Sequence, residues 1–382
     1  MKKDEIEIEH VVIKKIDEDN YIVNNLITNK YVRMGVREVN YFLLLKGREP
    51  EVLPEGAAEL TGQQKAALKK KYEEWELLEP GKKQKTKKDL SNLVLMDFKP
   101  EGRIGGMLKL VMLFFSPLGL VLFLTSTVAL ITLLIFQQRA LMQGAMQLRI
   151  TVGNMVLLYL GSIGISLIHE LCHAAACYKY SGKCGRMGIK LFYLFPAYFC
   201  DVSNSYLIKD KKRTFVVAAS GLMWNHIAGT AILSLYILMY HNKMVFPVLL
   251  LLYISNFLNI LFNLLPIAKF DGYWMLKALT GVDNLYDKCL SMFYMACFRR
   301  KQLKNTMFSW PHKCMAIFYG LLLYTFHWGL WILGIFGVYL TLQKYTSDWS
   351  CMAVIAVLII IGVINCLRFT RKYYKQYQCV CQ

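Results

Sequence analysis

Apolar runs dominate the last three-quarters or so of the chain, broken by short polar stretches, whereas the first eighty or so positions alternate over a much shorter period. The long runs fall at roughly 108–136, 150–178, 214–239, 245–268, 315–341 and 350–367. As helices, each is long enough to cross about 30 Å of hydrocarbon. The first is long and contains Pro117, so a kink or an interfacial start is expected there. Upstream, Val11–Lys15, Tyr21–Asn25 and Lys30–Met34 read as strands separated by Asp-Glu-Asp-Asn and Thr-Asn turns. Val36 to Leu45 reads as an amphipathic helix, and a second helix runs from about Gly62 to Leu78 with an apolar face through Ala66, Leu68, Tyr72 and Trp75. The expected fold is mostly α: a polytopic membrane protein of about six transmembrane helices with a small N-terminal α+β cytoplasmic domain.

The expected divisions are a cytoplasmic domain over 1–80, a basic juxtamembrane linker over 81–106, a transmembrane domain over 107–368 and a cytoplasmic tail over 369–382. The linker carries Lys82, Lys83, Lys85, Lys87 and Lys88, a solvated tether that also suits anionic headgroups. Composition agrees with the pattern: 382 residues, 55% of them hydrophobic. The formal charge of +19 would suit nucleic acid, yet the basic residues cluster in loops flanking apolar runs. Lys209, Lys211, Lys212 and Arg213 follow the second run, Arg299, Arg300, Lys301 and Lys304 the fourth, and Arg368, Arg371, Lys372 and Lys375 the last. That distribution points to membrane lipid rather than nucleic acid, and the positive-inside rule places both termini in the cytoplasm. The polar, charged first hundred or so residues argue against an N-terminal signal peptide. Eleven cysteines at scattered positions do not form a disulfide framework, and Cys379 and Cys381 read as a reduced pair.

Chemistry concentrates at His169-Glu170-Leu171-Cys172-His173, inside the second apolar run. One helical turn apart, His169 and His173 share a face and can reach one metal ion. Glu170 projects about 100° away, where its carboxylate can touch a water on that metal. This is zincin logic: two His hold Zn²⁺, the metal lowers the pKa of its water, and the Glu takes the proton. Three ionisable residues so close together in an apolar span mark a functional site by default. A catalytic zinc needs a third protein ligand, and the best candidate is Asp271 in Asn263-Leu-Leu-Pro266-Ile-Ala-Lys-Phe-Asp271-Gly272, with Asp201 as the fallback.

H-E-x-x-H in one span with N-x-x-P-x-x-x-x-D-G at the end of a later one resembles the site-2 protease family of intramembrane zinc metalloproteases. The resemblance covers roughly residues 150 to 280, and the run L-F-P-A-Y-F-C-D-V-S around Pro196 and Asp201 is similar to the bacterial peptide zinc metalloprotease branch. It implies Asp271 as third zinc ligand, and it pairs the family's G-x-x-x-N element with Gly221 and Asn225, although Leu222 stands where that family usually has Pro. Pro266 then unwinds the helix so that Asp271 turns inward. By positive-inside orientation, the second and fourth spans run in the same direction. His169 and His173 then lie roughly 8–14 Å deep, with Asp271 just past the inner end of the other span and Asn225 at similar depth.

Asn225 has two readings, a donor to the developing oxyanion or substrate backbone, and an interhelical hydrogen bond. Asn256, Asn259 and Asn263 form a polar stripe suited to a water route. Cys172 reads as a small buried hydrophobe, and His226 and His327 as packing residues. Cys184 to Tyr206, aromatic and broken by Gly188 and Pro196, reads as a re-entrant or interfacial hairpin. It serves either as an edge that pairs with an extended substrate or as a plug in the cavity.

The N-terminal order of three strands followed by helices resembles the winged-helix leader-peptide recognition elements of ribosomal-peptide modification enzymes. The expected function is therefore zinc-dependent hydrolysis of a peptide bond in a precursor peptide or membrane-protein substrate, in a bacterial plasma membrane, with a possible exporter or modifying enzyme as partner. The alternative is a non-hydrolytic module that binds a peptide and hands it to such a partner. A zinc transporter would carry repeated acidic or His sites, which this chain lacks, and di-iron desaturase chemistry would need more than its seven His.

Overall fold

The computed structural model describes residues 5–15, 20–27, 30–48, 60–78, 92–100, 105–148, 151–192, 195–208, 210–244, 246–282, 284–298, 310–344 and 348–379. The basic run at 82–88, the cluster at 299–304 and Cys381 lie outside the described residues. The chain divides into two compact units, Met1–Lys88 with Ser203–Lys209, and Asp89–Val202 with Asp210–Gln382.

The first unit holds an antiparallel sheet of four strands in sequence order, β1 (Glu5–Ile8), β2 (Val11–Lys15), β3 (Asn20–Asn25) and β4 (Lys30–Gly35). The sheet is followed by α1 (Val36–Leu45) and α2 (Gly62–Glu74). The pattern of the sequence leads to three of those strands and misses β1. Its residues alternate Glu and Ile over only four positions, too short a run to stand out, and its turn is two residues long with Glu9 at φ 53. Val11, Ile13, Val23, Phe42, Tyr72 and Leu77 form the core, each fully buried apolar side chain contributing roughly 1.5–3 kcal/mol. The Tyr72 hydroxyl donates to the Glu38 carbonyl at 2.7 Å, which ties α2 to α1. Thr61 and Gln64 cap α2 reciprocally, the Gln64 side chain accepting from the Thr61 N–H at 2.9 Å. Segment 203–209 belongs to this unit through β4: the Tyr31 hydroxyl donates to Asn204 and its ring stacks on Tyr206 at 6.2 Å.

The second unit opens with β5 (Asn92–Phe98), which pairs antiparallel with β6 (Met187–Phe192), itself paired with β7 (Phe195–Cys200). The hairpin expected between the second and third apolar runs is present. Its third strand comes from the stretch that reads as linker in sequence, where the short apolar run from Leu93 to Met96 is overshadowed by the lysines before it.

Helices follow: α3 (Gly105–Val111), α4 (Pro117–Phe136), α5 (Gln138–Met146), α6 (Val152–Ser181), α7 (Lys211–His241), α8 (Pro247–Leu264), α9 (Asp271–Thr280), α10 (Leu285–Phe298), α11 (Trp310–Leu342) and α12 (Asp348–Cys379). Six of them, α4, α6, α7, α8, α11 and α12, are long and apolar enough to cross a membrane. The first apolar run is broken as Pro117 requires: a 3₁₀ turn at Met112–Phe115 ends in extended Ser116, and Pro117 opens α4. The basic stretch after the fourth run contains two helices, α9 and α10. The α7 helix is the hub, packed by α4, α6, α8 and α9, while α10, α11 and α12 pack together around Leu290, Tyr294 and Leu323.

Candidate metal centre

The α6 helix carries the His pair. Capped by Thr151, whose side chain accepts from the Asn154 N–H at 3.2 Å, it closes on Gly182 in the left-handed conformation at φ 77. In the C-terminal half of α6, His169 and His173 present one face, both only 5% exposed. The carboxylate comes from the far side of a helix break. Leu265 precedes Pro266 and is therefore extended (ψ 122), which ends α8. The Tyr319 hydroxyl holds the Pro266 carbonyl, and Asp271 becomes the first residue of α9. There a carboxylate also meets the positive end of the helix dipole.

Three atoms converge. His169 Nε2 lies 3.1 Å from Asp271 Oδ2, His173 Nε2 lies 3.2 Å from Asp271 Oδ1, and the two Nε2 atoms are 3.2 Å apart. A tetrahedron with bonds of about 2.0 Å has an edge of about 3.3 Å, so the triangle has the size of one face of such a coordination shell. The tautomer agrees. His173 Nδ1 lies 2.8 Å from the Val217 carbonyl, which can only accept, so Nδ1 carries the proton and Nε2 the lone pair. Ser220 Oγ lies 3.1 Å from the same Nδ1 and donates to the Val217 carbonyl at 2.8 Å. With both Nε2 atoms unprotonated, their 3.2 Å separation would be repulsive unless a proton or cation lay between them. Asp271 Oδ2, buried without a hydrogen bond, makes the same demand. Burial alone would raise the Asp271 carboxyl pKa, but the two imidazoles outweigh it and hold the group well below the usual carboxylate range. Among the described residues, His169, His173 and Asp271 form the one cluster of three such side chains able to hold a metal ion.

The α7 helix is shaped to this cluster. A Cβ on Gly221 would stand 2.5 Å from His169 Nε2 and from His173 Nε2, so only glycine admits both rings. At Gly272 a Cβ would lie 2.1 Å from the Leu264 carbonyl, and the Asp-Gly pair is thereby able to fold back against the end of α8.

The other expected residues fall as follows. Glu170 is half-buried and within electrostatic reach of His169, His173, Asp271 and Lys190. Asn225, one turn beyond Gly221 and 1% exposed, donates to Asn259 Oδ1 at 3.3 Å; its backbone carbonyl accepts from Asn256 at 2.8 Å, and its own Oδ1 has no hydrogen bond. Asn263 donates to the same Asn259 oxygen at 2.7 Å, so the polar stripe of α8 is a connected chain. The fallback ligand Asp201 stands outside the cluster, its backbone N–H donating to the Arg186 carbonyl at 2.8 Å. Cys172 is buried among Leu171, Ala174 and Ala175. His226 lies 3.0 Å from Thr127 Oγ1, and His327 stacks on Phe369 at 3.8 Å.

Sequence reading missed Val217 and Ser220, which orient His173, and Lys190 on β6. A backbone carbonyl has no sequence signal, and Ser220 could have been found only by asking what lies one position before Gly221.

The chain is 27% identical over 119 residues to the Bacillus subtilis (strain 168) protein named "Putative peptide zinc metalloprotease protein YydH", an alignment covering 31% of this chain and 45% of that relative. No protein-family profile matches the chain, and no solved structure does. A distant relative named as a putative peptide zinc metalloprotease and a His169, His173 and Asp271 cluster able to hold a metal together suggest zinc binding.

Proposed function

We propose that this chain is an intramembrane zinc metalloendopeptidase of the site-2 protease type, with His169, His173 and Asp271 as zinc ligands and Glu170 as general base. The observation that carries the reading is the triangle of ligand atoms with 3.1–3.2 Å edges, assembled from one apolar helix, α6, and the first residue of α9. When bound, zinc polarises a carbonyl and lowers the pKa of a water molecule. Glu170 would accept a proton from water at its carboxylate and return it to the departing amine. Asn225, beside Gly221 on the face of α7 turned to the imidazoles, orients the substrate carbonyl or its backbone. The Asn256, Asn259 and Asn263 chain is the polar route by which water reaches the site through an apolar helix.

The membrane reading rests on the outward helix faces: Leu118, Val128, Val152, Ile332 and Trp349 are each more than half exposed, a surface that suits hydrocarbon. Clustered loop charges favour both termini in the cytoplasm, and the resemblance to bacterial peptide zinc metalloproteases favours a bacterial plasma membrane. The substrate is a precursor peptide or a membrane protein, unwound locally so that its backbone is presented. The β7 strand lies at the sheet edge with Pro196 in it, as edge strands tolerate, and offers a pairing surface for such an extended chain. The N-terminal unit is a candidate recognition element, and an exporter or modifying enzyme is a candidate partner.

The test is mass spectrometry of small peptides and membrane-protein fragments from cells carrying the intact chain or Glu170→Gln. Fragments that depend on Glu170 are expected. Identical fragment sets, with peptide binding retained by Glu170→Gln, would instead support a non-hydrolytic binding module.

A further inference from the structure

Lys190 is a cation placed where the metal chemistry does not use it. It sits in the middle of β6, the central strand of its sheet, opposite Ala197 on β7 and Val94 on β5. Side chains alternate along a strand, so Gly188, Lys190 and Phe192 share one face. That face looks toward the metal centre by two separate observations. Phe192 packs edge-on against Phe270 at 5.6 Å, and Phe270 immediately precedes Asp271. Lys190 itself is within electrostatic reach of Glu170.

The Lys190 ammonium lies over two aromatic rings, Phe192 at 5.6 Å and Phe199 at 5.5 Å, and it forms no ion pair among the described residues. Burial lowers its pKa, and Glu170 only partly offsets that. On the reading above, the local charges add up simply. A dication is balanced by the Asp271 and Glu170 carboxylates, the imidazoles are neutral, and one positive charge is left on Lys190. A half-buried ammonium with aromatic neighbours and no carboxylate in ion-pair contact is costly until an anion arrives. Aromatic faces attract a cation without neutralising it, and so they hold it in place for such a partner.

We infer that Lys190 is a specificity-determining residue that receives a carboxylate side chain of the peptide substrate close to the bond being cut. The inference rests on the protease reading for its substrate and is separable from it by experiment. The full chain carrying Glu170→Gln, zinc-loaded in lipid nanodiscs, is titrated with short fluorescein-labelled Val- and Thr-rich peptides. These differ only in bearing Glu, Gln or Lys at one position, walked along the sequence, and binding is read by anisotropy.

The Glu peptide is expected to bind roughly tenfold more tightly than its Gln counterpart at one or two positions. Adding Lys190→Met should abolish that preference without weakening the Gln peptide, and adding Lys190→Glu should transfer it to the Lys peptide. Transfer of the preference shows that the variant is folded, and unchanged zinc content checks both variants. Equal binding of Glu and Gln peptides, no binding of either, or a Glu preference that survives Lys190→Met would overturn the inference. The intact chain separates the two ideas: Glu170-dependent cleavage indifferent to the acidic residue removes only the role of Lys190, whereas a Lys190-dependent binding preference without any cleavage removes only the protease.

Discussion

His173 Nε2 faces Asp271 Oδ1 at 3.2 Å, although one residue lies within the buried part of a long apolar helix and the other opens a short helix after a proline break. The orientation of His173 is set on its other side by Val217 and Ser220, so the pair is held by three elements rather than two. Four consequences can be measured.

Ser220→Ala removes one of the two oxygens near His173 Nδ1 and leaves the Val217 carbonyl in place. Partners of this kind typically affect metal affinity by about 10–100-fold, and retention of the carbonyl points to the lower end, roughly tenfold. Competition with a fluorescent zinc chelator measures it. An unchanged affinity would mean that the carbonyl alone fixes the ring.

Gly221→Ala places a methyl 2.5 Å from both Nε2 atoms. The rings must move by more than half a bond length, and displacements of about 1 Å at such sites cost about 100-fold in rate. Zinc content should fall as well, while the far-ultraviolet helical signal stays unchanged because alanine favours helix more than glycine. A fully active Gly221→Ala would contradict the tight fit of α7 against the His pair.

Acid should release the metal through the imidazoles. Asp271 is held below the usual carboxylate range, so it stays ionised as pH falls and keeps its affinity for a cation. His169 and His173 must offer neutral Nε2 atoms to bind, so protons compete with the metal at both imidazoles. Zinc retained at neutral pH should therefore be lost on acidification, before Asp271 is protonated. Retention down to about pH 4 would mean that the imidazoles are not ligands.

The N-terminal unit has its own core, and Phe42 is fully buried there against the Tyr72 ring at 5.7 Å. Phe42→Ala should cost about 3–5 kcal/mol of that unit's stability. Hydrogen exchange of the full chain should then show faster exchange across β2, β3, α1 and α2, with α6 and α7 unaffected. Equal acceleration in both sets of elements would show that the two units unfold as one.

Legibility in the sequence follows the range of the interactions. Six apolar helices could be read because length and hydrophobicity are local, and α1 matched its expected bounds because its apolar periodicity is clean. The His pair could be read because one helical turn fixes its geometry, and Asp271 because Pro266 and the Asp-Gly turn announce a break. By contrast, β5 reads as linker because its apolar run, Leu93 to Met96, is short and follows a lysine cluster, while its pairing partner lies far along the chain. Lys190 hid because the relation of β6 to Glu170 is made by the fold, and no spacing in the sequence encodes it.

The most direct measurement is the zinc content of the purified full chain by inductively coupled plasma mass spectrometry, for the intact protein and for His173→Ala, Asp271→Ala and Glu170→Gln. Near one equivalent in the intact chain and in Glu170→Gln, with loss in the other two, is the expected result. Zinc held equally well after Asp271→Ala would contradict the assembly of the site from α6 and α9.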